Sequence, residues 1–225
     1  MNPLSTFAEF FQNGGPFMYI ILLTGVLILG LALERFWVIG KAASVKGDKL
    51  TADVLRLVGN GDFSGAAELC RQVKGPAAQV ANAILTRNTR DEDKLLNAAE
   101  NEAVLVLPAL SRRLPFLSIL ANSATLLGLL GTIFGLTTAF SAVDAADPSQ
   151  RSAFLAAGIS QALNTTSFGL IVAVPSLWLH GFLVSKVEGV VDDVDQISAR
   201  LIKALVRGSG ASPAKSGQPS NRKAA

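Results

Sequence analysis

Asp, Glu, Lys and Arg leave three long gaps in this chain. Phe10 to Leu33 is free of them for 24 residues, Leu114 to Val143 for 30, and Ser152 to Ser185 for 34, where His180 is the only ionisable group. A bilayer core of about 30 Å needs roughly 20 apolar residues of helix, so each gap predicts a membrane span. The breaker Gly14-Gly15-Pro16 leaves residues 1–16 ahead of the first span, which runs over 17–39. The second occupies 114–143, the third 152–185 with its flanks, and 144–151 is the loop between them. No Lys or Arg precedes Arg35, so the basic stretch of a cleavable signal peptide is missing.

Outside the gaps the apolar residues recur at helical steps. Leu50, Val54, Leu55 and Val58 share one face. Gly59-Asn60-Gly61-Asp62 reads as a turn, Phe63 to Val73 as a second helix closed by Gly75-Pro76, and Pro76 to Leu85 as a third. Thr89 with Glu92 fits a capping box, and Asp91 to Asp93 load the first turn with acid, as the helix dipole favours. From Asp91 the pattern runs with little interruption into the second span, with Pro108 and Pro115 as kinks near Arg112 and Arg113. Beyond the third span, Val187, Val190, Val191, Val194, Ile197, Leu201, Ala204 and Leu205 form a core-facing or coiled-coil stripe. The fold class is therefore an all-α integral membrane protein. It has three spans, the second and third extended into the cytoplasm, a helical insert over 40–113 and a cytoplasmic helix over 186–207. The Gly/Ser/Pro/Lys-rich residues 208–225 read as a disordered tail.

Composition agrees: half of the 225 residues are hydrophobic, 16% are charged and mean hydropathy is +0.42. One cysteine, Cys70, excludes a disulfide framework, and one histidine excludes a multi-histidine metal centre. No Walker-type phosphate loop is present, and nothing suggests nucleic-acid binding. The net charge of +3 matters through its distribution. Residues 1–16 carry no Lys or Arg, 41–113 carry 11, 144–151 carry one and the stretch after Ser185 carries seven. Positive residues stay inside, so the N-terminus and the 144–151 loop are expected to be periplasmic, and the insert and C-terminus cytoplasmic.

The long spans are not uniformly apolar. On a helical wheel, Ser118, Asn122, Thr125 and Thr132 fall within about 80° of one another, together with Leu129 and Leu136. Gly128, Gly131 and Gly135 lie together at a spacing that lets helix backbones approach closely. In the third span Ala162, Thr166, Gly169, Ala173 and His180 form one stripe, while Gln161 and Thr165 share an adjacent one. Pro175 frees a backbone carbonyl there. Neither long span holds Asp or Glu. A proton path normally uses a protonatable group near the bilayer midplane. If these faces line such a path, the titrating group comes from another polypeptide. His180 lies close to the cytoplasmic end, at an interface shared with Arg112, Arg113 and the Glu34-Arg35 pair that closes the first span.

The stretches LLGLLGTIFGLTTAF, Leu126 to Phe140, and GISQALNTTSFGLIVAVPS, Gly158 to Ser176, resemble the proton channel family of MotA, TolQ and ExbB, and its ExbB/TolQ branch most. The resemblance covers about residues 15–205. It implies a homo-oligomeric ring, a pentamer, around the single spans of two copies of an ExbD/TolR-like partner whose aspartate takes up and releases protons. Proton-motive force then drives one component against the other, and the work passes to an envelope machine. By resemblance, Thr132 and Thr166 match the threonines expected to face that aspartate, and Pro175 matches the third-span proline. Gln161 departs from the family, where many members carry glutamate, and Thr165 and Ser167 add hydroxyls where many have alanine.

A proton-conducting stator subunit of the bacterial inner membrane is thus the leading expectation, with no cofactor and no enzymatic activity. Thr132, Thr166, Thr165, Asn122, Thr125 and Gln161 would line the path. Gly128, Gly131, Gly135, Gly169 and Pro175 would serve packing and hinge roles. A Na⁺-driven version and a non-conducting scaffold ring are the alternatives. The driven process would be nutrient uptake, envelope maintenance or gliding motility.

Overall fold

The computed structural model describes residues 10–12, 14–44 and 47–207, and among them every regular element is a helix. The sequence-based expectations for 1–9 and for the tail 208–225 fall outside the described residues. The chain divides into two compact units.

The first unit comprises residues up to Ala43 and from Pro108 to Gly189. Its first helix, α1, spans Pro16–Ala43, with Gly15 at φ +74° turning the chain into it and Pro16 starting it. Its buried face is Met18, Ile21, Thr24, Ile28, Ala32, Arg35 and Ile39, at the three- and four-residue steps of one helical stripe. The other face is apolar and open, with Leu23, Leu33 and Trp37 each more than 60% exposed. Such a surface suits lipid and is foreign to a soluble helix. Three helices among the described residues are long and apolar enough to cross a membrane.

The second unit comprises residues 44–107 and those from Val190 on. It holds α2 (Gly47–Gly59), α3 (Phe63–Gln72), α4 (Pro76–Thr86) and α5 (Glu92–Val106). Gly61 at φ +80° makes the α2–α3 turn, and the Asp62 carboxylate accepts from the Gly65 N–H at 2.8 Å to cap α3. Asp91, rather than Thr89, caps α5 by accepting from the Lys94 N–H. The Thr89 hydroxyl instead accepts from the Asp91 N–H. Leu50, Val54, Val80, Ile84, Leu95 and Cys70 form the core together with Val194, Ile197 and Leu201 of the last helix. Burial pushes the Cys70 thiol up to about 11, which makes it inert packing rather than a nucleophile.

The run expected from Asp91 into the second span, with kinks at Pro108 and Pro115, is interrupted at Leu107 and again at Arg112 and Arg113. α5 stops at Val106, because Pro108 has no N–H to continue it. A single turn, α6 (Pro108–Ser111), follows, and Arg113 adopts a left-handed conformation at φ +72° before α7 (Leu114–Ala145) begins. The second span and the helix preceding it are therefore separate pieces. The last helix, α8 (Arg151–Arg207), is continuous for 57 residues, or about 86 Å, with Pro175 inside it.

Candidate functional site

Within the first unit, α7 and α8 run against each other along a seam of small residues. A Cβ placed on Gly128 would stand 3.2 Å from the Thr166 Cα, and one on Gly135 would stand 3.2 Å from the Ala162 Cβ. One on Gly169 would lie 2.8 Å from the Ala124 carbonyl oxygen. Gly131 abuts the Thr165 side chain, and Gly158 abuts the Ala139 methyl. The glycines let two backbones meet where any side chain would part them. Gly128, Gly131, Gly135 and Gly169 thus come together at one interface, whereas Pro175 stands on the exposed side of α8. The next residue, Ser176, is buried and donates to the Val172 carbonyl at 2.6 Å.

The threonines of α8 belong to the same seam. Thr166 donates across it to the Gly128 carbonyl at 3.0 Å. Thr165 is almost fully buried, its hydroxyl 2.6 Å from the Gly14 carbonyl and 2.8 Å from the Gln161 carbonyl. Gln161 is half-buried, and its amide reaches the Gly15 backbone. The breaker ahead of α1 is therefore pinned against α8. Phe11 reinforces it, with its ring edge-on to Tyr19 at 5.0 Å and to Phe168 at 5.7 Å. The glycines of the breaker were visible in the sequence, but their partner 151 residues away was not.

The polar face of α7 is placed differently. Its buried residues, Leu117, Ala121, Ala124, Gly128, Gly131, Gly135 and Ala139, follow one stripe that includes the seam. Asn122 and Thr125 lie about 100° round the helix from it and are exposed, while Ser118 and Thr132 are half-buried. Thr132 donates to the Leu129 carbonyl of its own helix at 2.6 Å, which leaves its oxygen free to accept. Leu129 and Leu136 share this face and are also exposed. Polar groups open to hydrocarbon are costly and normally face protein or water. On the chain alone this face has no cover.

At the end of the spans, four charged residues meet that sequence reading had grouped only as an interface. Arg35 is 5% exposed and donates to the Arg112 carbonyl at 2.8 Å, the Ala109 carbonyl at 3.3 Å and the Glu34 carboxylate at 2.8 Å. Glu34 also accepts from Arg113 at 2.6 Å. The guanidinium thus satisfies the carbonyls that the α6–α7 break releases. Pro108, Pro115 and the Arg112-Arg113 pair were the sequence signals of that break. His180 does not join this cluster. It lies in a cavity between α7 and α8 with Ser111, Ser118 and Glu188. No group of three or more His, Cys, Asp or Glu that could hold a metal occurs among the described residues.

Comparison with known proteins matches residues 72–196 to the sequence model of the MotA/TolQ/ExbB proton channel family. The chain is 27% identical to an ExbB homolog of Methanothermobacter thermautotrophicus over 198 residues, covering 88% of this chain and 70% of that protein. It is 30% identical to the ExbB-like 3 biopolymer transport protein of Synechocystis, over 68% of this chain and 72% of that protein. Against the Tol-Pal system protein TolQ of Haemophilus influenzae it is 31% identical over 44% of this chain and 42% of that protein.

Proposed function

This chain belongs to the MotA/TolQ/ExbB proton channel family, and from that premise we propose that it is the channel-forming subunit of an inner-membrane motor driven by proton-motive force. Copies of it surround the single span of an ExbD/TolR-like partner, as a pentamer around two partner helices, with the N-terminus periplasmic and the second unit cytoplasmic. The partner supplies the carboxylate that takes up and releases the proton. Thr132 and the exposed amide and hydroxyl of Asn122 and Thr125 solvate that carboxylate and the water beside it.

The observation that carries this reading is the uncovered polar face of α7, in spans that hold no acid of their own. An amide in hydrocarbon without a partner costs about 2–7 kcal/mol. A neighbouring helix, or water held by one, removes that penalty, and a carboxylate is stable there only among such donors. Thr166 and Thr165 support the path from behind by fixing α8 against α7 and against the breaker. Gln161, which does not titrate, acts as a fixed hydrogen-bonding group. The work output serves nutrient uptake across the outer membrane, envelope maintenance or gliding motility.

The test uses the full chain with its co-purifying single-span partner in proteoliposomes under an imposed proton gradient. Thr132→Val removes one hydroxyl at constant volume and no interhelical bond, and should abolish proton flux while the partner still co-purifies. Normal flux in that variant refutes the path. Absence of flux from the unsubstituted complex leaves the non-conducting scaffold ring. Flux that follows a Na⁺ gradient instead refutes the choice of proton.

A further inference from the structure

His180 is the only histidine of the chain and the only ionisable side chain between Ser152 and Ser185. Its Nδ1 is buried and has no hydrogen-bond partner among the described residues. The ring lines an open cavity of about 490 Å³ whose other polar members are Ser111, Ser118 and the exposed Glu188, beside apolar side chains such as the exposed Ile119 and the half-buried Val184. Ser118 begins the α7 face that continues through Asn122, Thr125 and Thr132. The cavity therefore meets the end of that polar face and closes it with an imidazole and a carboxylate.

A buried imidazole nitrogen without a partner is an exception in folded proteins and calls for a role. The space admits several waters, and four polar side chains on its wall can hold them. Glu188 is the one charged residue on its wall; next to the lining residues in sequence stand Lys186 on α8, its ammonium 5.5 Å from the Phe182 ring centroid, and Arg112 and Arg113 on the turn between Ser111 and Leu114. Glu34 of α1 is already engaged by Arg35 and Arg113. Glu188 is thus the one carboxylate on the cavity wall.

Resting on the function proposed above, we infer that this cavity is the proton's vestibule at the end of the path, and that His180 is the positioning and relay group that accepts the proton from the water beside Ser118. An N–H bond forms at the unpartnered nitrogen as the proton arrives. An N–H bond of the imidazolium breaks as the proton passes to water beside Glu188. No electron moves, and the ring returns neutral.

The measurement is proton flux through the reconstituted complex of the full chain and its partner, as a function of pH on the Glu188 side. His180→Gln should slow flux about a hundredfold, the low end of what a positioned proton-transfer group contributes, and should flatten its pH dependence. His180→Ala should be slow in the same way and be restored by free imidazole, which a merely structural role would not allow. A His180→Gln complex with unchanged rate and pH profile overturns the relay, as does a His180→Ala defect that imidazole leaves untouched. Should neither variant assemble, ¹⁵N labelling of the chain's lone histidine in the unsubstituted complex decides. Fast exchange of the ring N–H with water is expected, and a protected ring overturns the inference. Flux that Thr132→Val stops and His180→Gln leaves alone defeats the relay only. A complex without flux defeats both readings.

Discussion

Replacing Gly169 by alanine tests how closely α7 and α8 are held. The new methyl would lie 2.8 Å from the Ala124 carbonyl oxygen, 3.1 Å from the Gly128 Cα and 3.4 Å from the Gly128 nitrogen. All three are backbone, so no side chain can swing aside and the helices must part. Forcing a methylene into a packed interface costs about 1–3 kcal/mol. The Thr166 to Gly128 bond crosses the seam three residues from the change, and its loss adds about 0.6 kcal/mol, a typical value for an interhelical bond in a membrane protein. Alanine's better helix propensity returns at most about 1 kcal/mol. The net expectation is a loss of about 1–3 kcal/mol. Gly181, in the same helix, has nothing within 4 Å of its would-be Cβ. Gly181→Ala should therefore be neutral or stabilising by up to about 1 kcal/mol. The assay is reversible unfolding of the solubilised chain in mixed micelles of increasing denaturing detergent. Equal stabilities for the two variants, within about 0.5 kcal/mol, would refute the close approach.

Two further expectations concern charge. Arg35→Met removes the donor that holds the Ala109 and Arg112 carbonyls, and bonds from a charged donor are worth about 1.5–3 kcal/mol each. The solubilised chain should lose about 3–6 kcal/mol in the same unfolding assay, with Arg35→Lys recovering only part because one ammonium cannot hold the two carbonyls, which share Nη1, and the Glu34 carboxylate on Nη2 together; wild-type stability in Arg35→Met would sink that assignment. Burial, then the neighbouring Asp48 and Asp192 carboxylates, raises Asp193 above the usual carboxylate range although the Gly47 N–H opposes the shift. The folded second unit then holds its proton to higher pH than the unfolded chain does, so stability falls as pH rises through that raised pKa. Asp193→Asn should reduce this fall in thermal melts as pH rises above the usual carboxylate range, and an unchanged slope would contradict it.

Some of this architecture is one-dimensional information, and some is not. A charge-free gap is a run along the chain, so the three membrane helices are legible from spacing alone. The turns at Gly59–Asp62 and Gly75–Pro76 are likewise local, because a glycine at positive φ or a proline acts on its own residue. The prolines marked the break ahead of α7 but not how full it is, because an apolar pattern records which faces are buried and not whether the backbone is continuous. Its cause is distributed over Pro108, the left-handed Arg113 and a guanidinium from α1 that reaches carbonyls 74 and 77 residues away. The Thr165 to Gly14 bond spans 151 residues, and no periodicity encodes such a pairing.

The same distinction separates the polar residues of the two long helices, which a wheel treats alike. A hydroxyl on a stripe can serve the seam within one chain or a surface meant for another, and spacing does not say which. In α8 the two threonines are spent on the seam, one on Gly128 and one on Gly14. In α7 Asn122 and Thr125 lie away from the seam and stay exposed. Loss of function on substituting Thr165 or Thr166 therefore mixes a damaged bundle with a damaged path. Asn122, Thr125 and Thr132 are free of that ambiguity, since Asn122 and Thr125 stand clear of the seam and the hydroxyl of Thr132 bonds only within α7. Substituting these three reports on whatever occupies the far side of α7, and the identity of the conducted ion has to be read there rather than at the α8 threonines.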